Sequence, residues 1–223
     1  MRFGEIHPQT GETDGAWITV SITGTTEEGR KHSSMDKWID FYESFFPTRA
    51  DAQAFVEALE ALDADAPRHR AKIMMHQAQR LVSLADDLAQ IRPGKESLQL
   101  LFLIICAENI AKLFHNFDDE GQSRAYVRRF FDEFVIGNDR DTLERSFVAE
   151  DFVALNLQQV VDTLYSVRCD VVHEGQYWGF QFHDGKTRMI TGDPVVTVSL
   201  QLTALRDIVV RGCIRAINEY AAP

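Results

Sequence analysis

The sequence predicts a mainly α protein: an antiparallel helical bundle with a small antiparallel β meander near the C-terminus. Two observations carry that reading. Between Asp51 and Gly175, apolar residues recur at three- and four-residue intervals in long stretches, parted by short Pro- and Gly-bearing connections. This is the pattern of helices packed against antiparallel neighbours. After Gly175 the period changes to two, with Trp178, Phe180 and Phe182 alternating, then Val196, Val198 and Leu200. Such alternation marks strands with one buried face. A chain of 223 residues with a hydrophobic fraction of 45% suits one domain with appendages, or one domain plus a small second unit.

Residues 1–50 read as an N-terminal extension holding one strand and one aromatic-rich helix. Ile18, Val20 and Ile22 alternate with Thr19, Ser21 and Thr23, which predicts a half-buried strand. His7 and His32 lie in polar segments and are expected to be solvated. Over Met35–Phe46 the aromatics Trp38, Phe41, Tyr42, Phe45 and Phe46 form a stripe that serves core packing, and Pro47 ends it. Asp51, as an N-cap, opens a short helix to Ala64, and Pro67 separates it from a longer one, Arg68–Ile91. There Met74, Ala78, Leu81, Ala85 and Leu88 draw a narrow apolar stripe. Pro93-Gly94 connects to Lys95–Phe117, apolar nearly all round and therefore expected to be the central buried helix.

Ser123–Val135 is amphipathic, with Arg124, Arg128 and Arg129 forming a local positive patch that most simply is a solvated face. Gly137–Asp151 connects, with a short helix around Leu143–Phe147. The helix beginning at Leu157 buries Val160, Leu164, Val167 and Val171 and stops at Gly175. The meander follows, turning at His183-Asp184-Gly185 and Gly192-Asp193-Pro194, and the Ile18–Ile22 strand is a candidate to join it. An amphipathic helix, Leu202–Tyr220, closes the chain on Leu205, Ile208, Val209, Cys213 and Ile217.

A net charge of −11 offers no global basic field, which counts against a general RNA- or DNA-coating role and leaves room only for a local cationic cleft. Cys106, Cys169 and Cys213 are widely spaced and read as reduced thiols. No basic-then-apolar leader opens the chain, and the longest apolar run, Leu100–Ala107, is far shorter than the ~20 residues of a membrane span. A soluble, cytoplasmic protein without membrane contact is the expectation. The glycine-rich phosphate loop, the dinucleotide glycine triplet, His-Glu-x-x-His, zinc-spaced Cys/His and Gly-x-Ser-x-Gly are all missing from the sequence. No cofactor and no metal is called for.

What remains is Arg168, four intervening residues, and His173, on the last two turns of an amphipathic helix, with Asp170 between them. The two lie roughly 140° and 7.5 Å apart along an ideal helix, a gap that a long arginine side chain can partly close. A cation beside a titratable imidazole suits chemistry on an anionic substrate. Upstream, Glu108-Asn109 interrupts the most apolar helix, and a buried carboxylate there needs a partner. Glu108 either pairs with a nearby Lys or Arg or sits at an exposed edge, or it faces Arg168. His115, on the same helix, reads as a helix-end surface residue.

The run Arg-Cys-Asp-Val-Val-His-Glu-Gly at 168–175 resembles the motif of the HEPN superfamily, especially its Apea-like branch, where an Arg-Ser-Asp-Ile-Val-His-Gly type of run closes the last core helix. The likeness is strong over that run and loose over Arg68–Trp178, as an all-helical pattern. The resemblance implies a HEPN-like bundle over residues 51–223, with the meander inserted at about 177–200. It also implies a metal-independent endoribonuclease in which Arg168 and His173 work at the interface of a homodimer. Asp170 would orient one of them, and Glu108 and Asn109 would support the pair. A setting in toxin–antitoxin systems or antiviral defence is implied with it, and RNA or a nucleotide, rather than DNA, is the expected partner. This sequence departs from the pattern at Cys169, where a small polar residue is common, and at Glu174, which delays the glycine and adds an anion. Two other readings stand beside the nuclease: a non-catalytic dimeric module binding nucleotide, RNA or protein, and a helix end that Arg168 and His173 merely close.

Overall fold

A computed structural model describes residues 27–116, 121–149, 153–176, 182, 187–189 and 196–222. The expected strand at Ile18–Ile22 and nearly all of Trp178–Phe182 lie outside the described residues. Along the chain run α1 (Glu27–Glu43), α2 (Arg49–Glu60), α3 (His69–Ile91), α4 (Glu96–Phe114), α5 (Ser123–Phe134), α6 (Asn138–Ser146) and β1 (Phe147–Ala149). They are followed by α7 (Leu157–Glu174), β2 (Thr187–Met189), β3 (Val196–Val198) and α8 (Leu202–Ala221). The fold is mainly helical with a small antiparallel sheet.

The central position expected for the most apolar helix is borne out: α4 packs against α3, α5, α7 and α8. Leu100, Leu103, Ile104, Cys106, Ala107, Ile110 and Ala111 are buried in it. By length and composition alone α4 could also cross a membrane, but half of its apolar window is covered by the fold itself. On α3 the buried stripe is broader than expected. Met75, Gln79 and Val82 join Met74, Ala78 and Ala85, while Leu81 and Leu88 are only half-buried.

The aromatic stripe of α1 packs as a core stripe should. The Tyr42 hydroxyl donates to the Met75 carbonyl at 2.8 Å, tying α1 to α3, and Trp38 stacks on His76 with ring centres 4.2 Å apart. The cap of α2 is Thr48 rather than Asp51. The Thr48 hydroxyl accepts from the Asp51 N–H, and the Asp51 carboxylate accepts from the Thr48 N–H, a reciprocal capping box. Phe130 of α5 lies so close to α8 that a Cβ on Gly212 would fall 2.8 Å from its ring, so only glycine fits this crossing.

The region before α7 corrects the expectation of a connector with a helix at Leu143–Phe147. α6 begins earlier, at Asn138, with Asp139 and Asp141 in its first turn, where acids complement the helix dipole. Phe147 already belongs to β1. The sheet order is β1-β3-β2, antiparallel throughout, with Phe147 and Thr187 both opposite Val198, and Ala149 and Met189 both opposite Val196. Pairing of β2 with β3 was legible as a meander. The third strand, β1, comes from the other side of α7 and was not.

Candidate functional site

Local signals hold α7 rigidly at both ends. The Asn156 side chain accepts from the Gln159 N–H, and the Gln159 side chain accepts from the Asn156 N–H, each at 3.0 Å. At the other end Gly175 takes φ 64°, a left-handed conformation glycine adopts freely, and its N–H and that of Gln176 both donate to the Asp170 carbonyl. Val160, Val161, Leu164 and Val167 are buried, and Val171 is half-buried.

From this helix Arg168 turns inward toward α4. Its side chain is only 17% exposed, and one terminal nitrogen (Nη2) lies 3.9 Å from Oε2 of Glu108. Its guanidinium carbon lies 5.4 Å from the ring centre of Tyr165, one turn back on α7. The Nε of Arg168 is buried with no hydrogen-bond partner among the described residues. Glu108 is itself buried. Its Oε1 accepts from Lys112 Nζ at 2.5 Å and from the Ser123 hydroxyl at 2.7 Å. Glu108 therefore pairs with a nearby lysine and also lies opposite Arg168, and it is not at an exposed edge. The lysine was readable as an i,i+4 partner on the same helix. Ser123, fifteen residues away on α5, had no signal in the sequence.

The remaining candidates are placed differently. His173 is exposed on the last turn, next to Val172, which is 48% exposed, and it makes no bond among the described residues. No described residue bridges it to Arg168. Asp170 is half-buried and bonds through its side chain to neither. Burial raises its carboxyl above the ordinary value, and the neighbouring Glu174 raises it further. Asn109 is half-buried and does not join the Glu108–Arg168 contact; one residue on, it is turned about 100° around α4. His115 caps α4 and its Nε2 lies 2.8 Å from the Glu133 carboxylate, a hydrogen-bonded contact near the surface.

The sequence missed the aromatic floor. Tyr165 and Tyr126 are buried, and four cations lie over their rings. Arg124 and Arg168 flank Tyr165 at 5.0 and 5.4 Å, and Arg129 and Lys112 lie 5.9 and 6.0 Å from Tyr126. Burial lifts the Tyr165 hydroxyl above its ordinary value, against the lowering pull of Arg168. The tyrosine therefore stays neutral and serves as a polarisable surface. Among the described residues no three His, Cys, Asp or Glu side chains converge as metal ligands would.

The cysteines hold a second surprise. Cys106 of α4 and Cys213 of α8, both buried, sit with sulfurs 3.7 Å apart as free thiols. Burial pushes the Cys213 thiol well above its usual range, and Cys106 beside it adds to the shift. A buried thiol whose ionisation is disfavoured in this way, as at Cys213, makes a packing contact rather than a nucleophile.

Comparison with known proteins matches this chain to no family model, no curated protein and no solved structure.

Proposed function

We propose that the protein is a HEPN-like, metal-independent endoribonuclease that works as a homodimer through Arg168 and His173. The observation that carries this reading is the contact between Glu108 and Arg168. A buried carboxylate on the central helix faces the arginine of the motif at 3.9 Å, and an exposed histidine follows that arginine five residues later on α7. The HEPN resemblance implies a polar residue of an earlier helix in that place.

The chemistry follows from what RNA carries. Its 2′-hydroxyl attacks the adjacent phosphorus, and the bond to the 5′-oxygen of the next nucleotide breaks. His173, in open solvent contact, takes the hydroxyl proton or supplies one to the leaving oxygen. The products are a 2′,3′-cyclic phosphate and a 5′-hydroxyl. Arg168 stabilises the charge on the phosphoryl oxygens, a task its planar donors suit. Since His173 and Arg168 are not bridged by any described residue, an apposition of two α7 ends supplies the missing proximity, with exposed Val172 beside His173 as its apolar contact. A place in toxin–antitoxin or antiviral defence belongs to this reading as well.

The test is incubation of the purified protein with mixed RNA in EDTA, beside Arg168→Ala and His173→Ala. Cleavage that survives chelation, leaves cyclic-phosphate ends and falls by about 10²–10⁴-fold in each variant is the expected outcome. A folded dimer that leaves RNA intact refutes it and favours the second reading, a non-catalytic module. That alternative has its own observation: Glu174 directly follows His173 and Asp170 lies three residues before it, acids that would repel a phosphate there.

A further inference from the structure

We infer that Arg124 and Arg129 of α5 form the path of the RNA strand beside Arg168. This inference rests on the RNA reading above and extends it to residues outside the motif. It starts from how differently the three arginines of α5 are used. Arg128 is closed on Asp162 of α7 by two hydrogen bonds, Nε at 2.8 Å and Nη2 at 2.5 Å, and so braces α5 against α7. Arg124 and Arg129 are exposed and have no carboxylate partner among the described residues.

Neither of these two is a loose surface cation. Each lies over the face of a buried tyrosine, Arg124 over Tyr165 and Arg129 over Tyr126. Attraction between a guanidinium and a ring face restrains the side chain without using any of its N–H donors. Both residues are exposed, so these donors are open to the paired oxygens of a phosphate. Tyr165 joins this patch to the motif, because its ring also carries Arg168. Lys112, which lies over Tyr126 and pairs with the buried Glu108, adds a fourth cation to the group on these two tyrosine rings. In a chain of net charge −11, such a concentration of positive charge beside the motif fits a polyanionic strand that reaches it along α5.

The experiment measures binding without cleavage, using a fluorescent, fully 2′-O-methylated RNA of mixed sequence, about 12 nucleotides long. Arg124→Glu/Arg129→Glu is compared with Arg80→Glu/Arg92→Glu, which changes the net charge equally on exposed residues of α3 and its C-terminal cap. The expected result is a loss of about tenfold or more for the α5 pair, with the log–log salt slope reduced by about 1.4, two phosphates at ~0.7 each. The α3 pair is expected to stay near wild type in both. Arg124→Gln/Arg129→Gln repeats the comparison without introducing new anions. Equal behaviour of the two reversed pairs overturns the inference, and so does a patch that holds only an acidic peptide. Cleavage of ordinary RNA by wild type, with binding indifferent to the α5 pair, would leave the nuclease standing without this path. Binding that depends on α5, without cleavage, would do the reverse.

Discussion

Two buried carboxylates in this molecule are solved in opposite ways. Asp139, at the start of α6, is enclosed by two arginines one turn apart on α8. Arg211 donates from Nε to both oxygens at 3.1 Å and from Nη2 at 2.7 Å. Arg215 donates at 2.8 Å, and its other terminal nitrogen is taken by the Phe134 carbonyl. Around Glu108, by contrast, a lysine and a serine crowd one oxygen while Arg168 stands 3.9 Å from the other, its Nε buried and unbonded among the described residues. The first cluster is saturated and locks α6, α5 and α8 together. The second keeps unused hydrogen-bonding capacity, with cations on tyrosine faces around it. A saturated cluster serves the fold, whereas an unsaturated one is the place where the proposed ligand contacts would be made.

The comparison can be broken most forcefully at Asp139. Asp139→Asn leaves Arg211 and Arg215 facing a neutral acceptor, and an unfolding free energy lower by about 2–4 kcal/mol is expected in denaturant titration. The pH dependence follows. Burial pushes the Asp139 carboxyl up, but the hydrogen bonds from Arg211 and Arg215 outweigh it and hold the folded value below the ordinary one. A depressed folded pKa gives stability that is present above the unfolded value, about 3.9, and is lost as pH falls through the folded value. Wild type should therefore lose its advantage over Asp139→Asn in the acid range below about pH 4. A constant gap down to strong acid would show that the ion pair is not its source.

Glu108→Gln is a milder intervention, because Lys112 is near the surface and can turn to water. Its expected cost is about 1–2 kcal/mol. Its sharper consequence is for RNA: Arg168 loses its brace, so cleavage should fall by more than the stability change explains at a temperature where both proteins are folded. A variant of full activity would put Glu108 back among purely structural residues. The smallest effect belongs to Asp170→Asn. The folded carboxyl is raised by burial and then by Glu174, so its ionised form is disfavoured in the native state. Removing it should stabilise by about 0.5 kcal/mol or less near neutral pH, and the gain should vanish below the unfolded value of about 3.9. A destabilised variant would mean that Asp170 has an attractive partner after all.

Much of this organisation could be read from the chain because it is local. The apolar period of α7 and the glycine in its left-handed stop are written within twenty residues, and the central place of α4 follows from its lack of a polar face. The facing of Glu108 and Arg168 was suggested through the HEPN-like run rather than through any periodicity. What escaped was long-range. Arg211 and Arg215 are far from Asp139 in sequence, Cys106 and Cys213 meet across 107 positions, and β1 pairs with β3 around an intervening helix. Nothing in a local pattern encodes such partners. The basic residues of α5 were legible as a patch, but their division into a brace, Arg128, and two cations over tyrosines needed the packing of α5 on α7.

The most direct test of the contrast is end-group analysis of RNA incubated in EDTA with wild type, Arg168→Ala and Asp139→Asn, at a temperature where all three are folded. Cyclic-phosphate ends at similar rates from wild type and Asp139→Asn, and at a rate at least about 100-fold lower from Arg168→Ala, are the result expected. Intact RNA with wild type, or cleavage by Arg168→Ala at the wild-type rate, would contradict it.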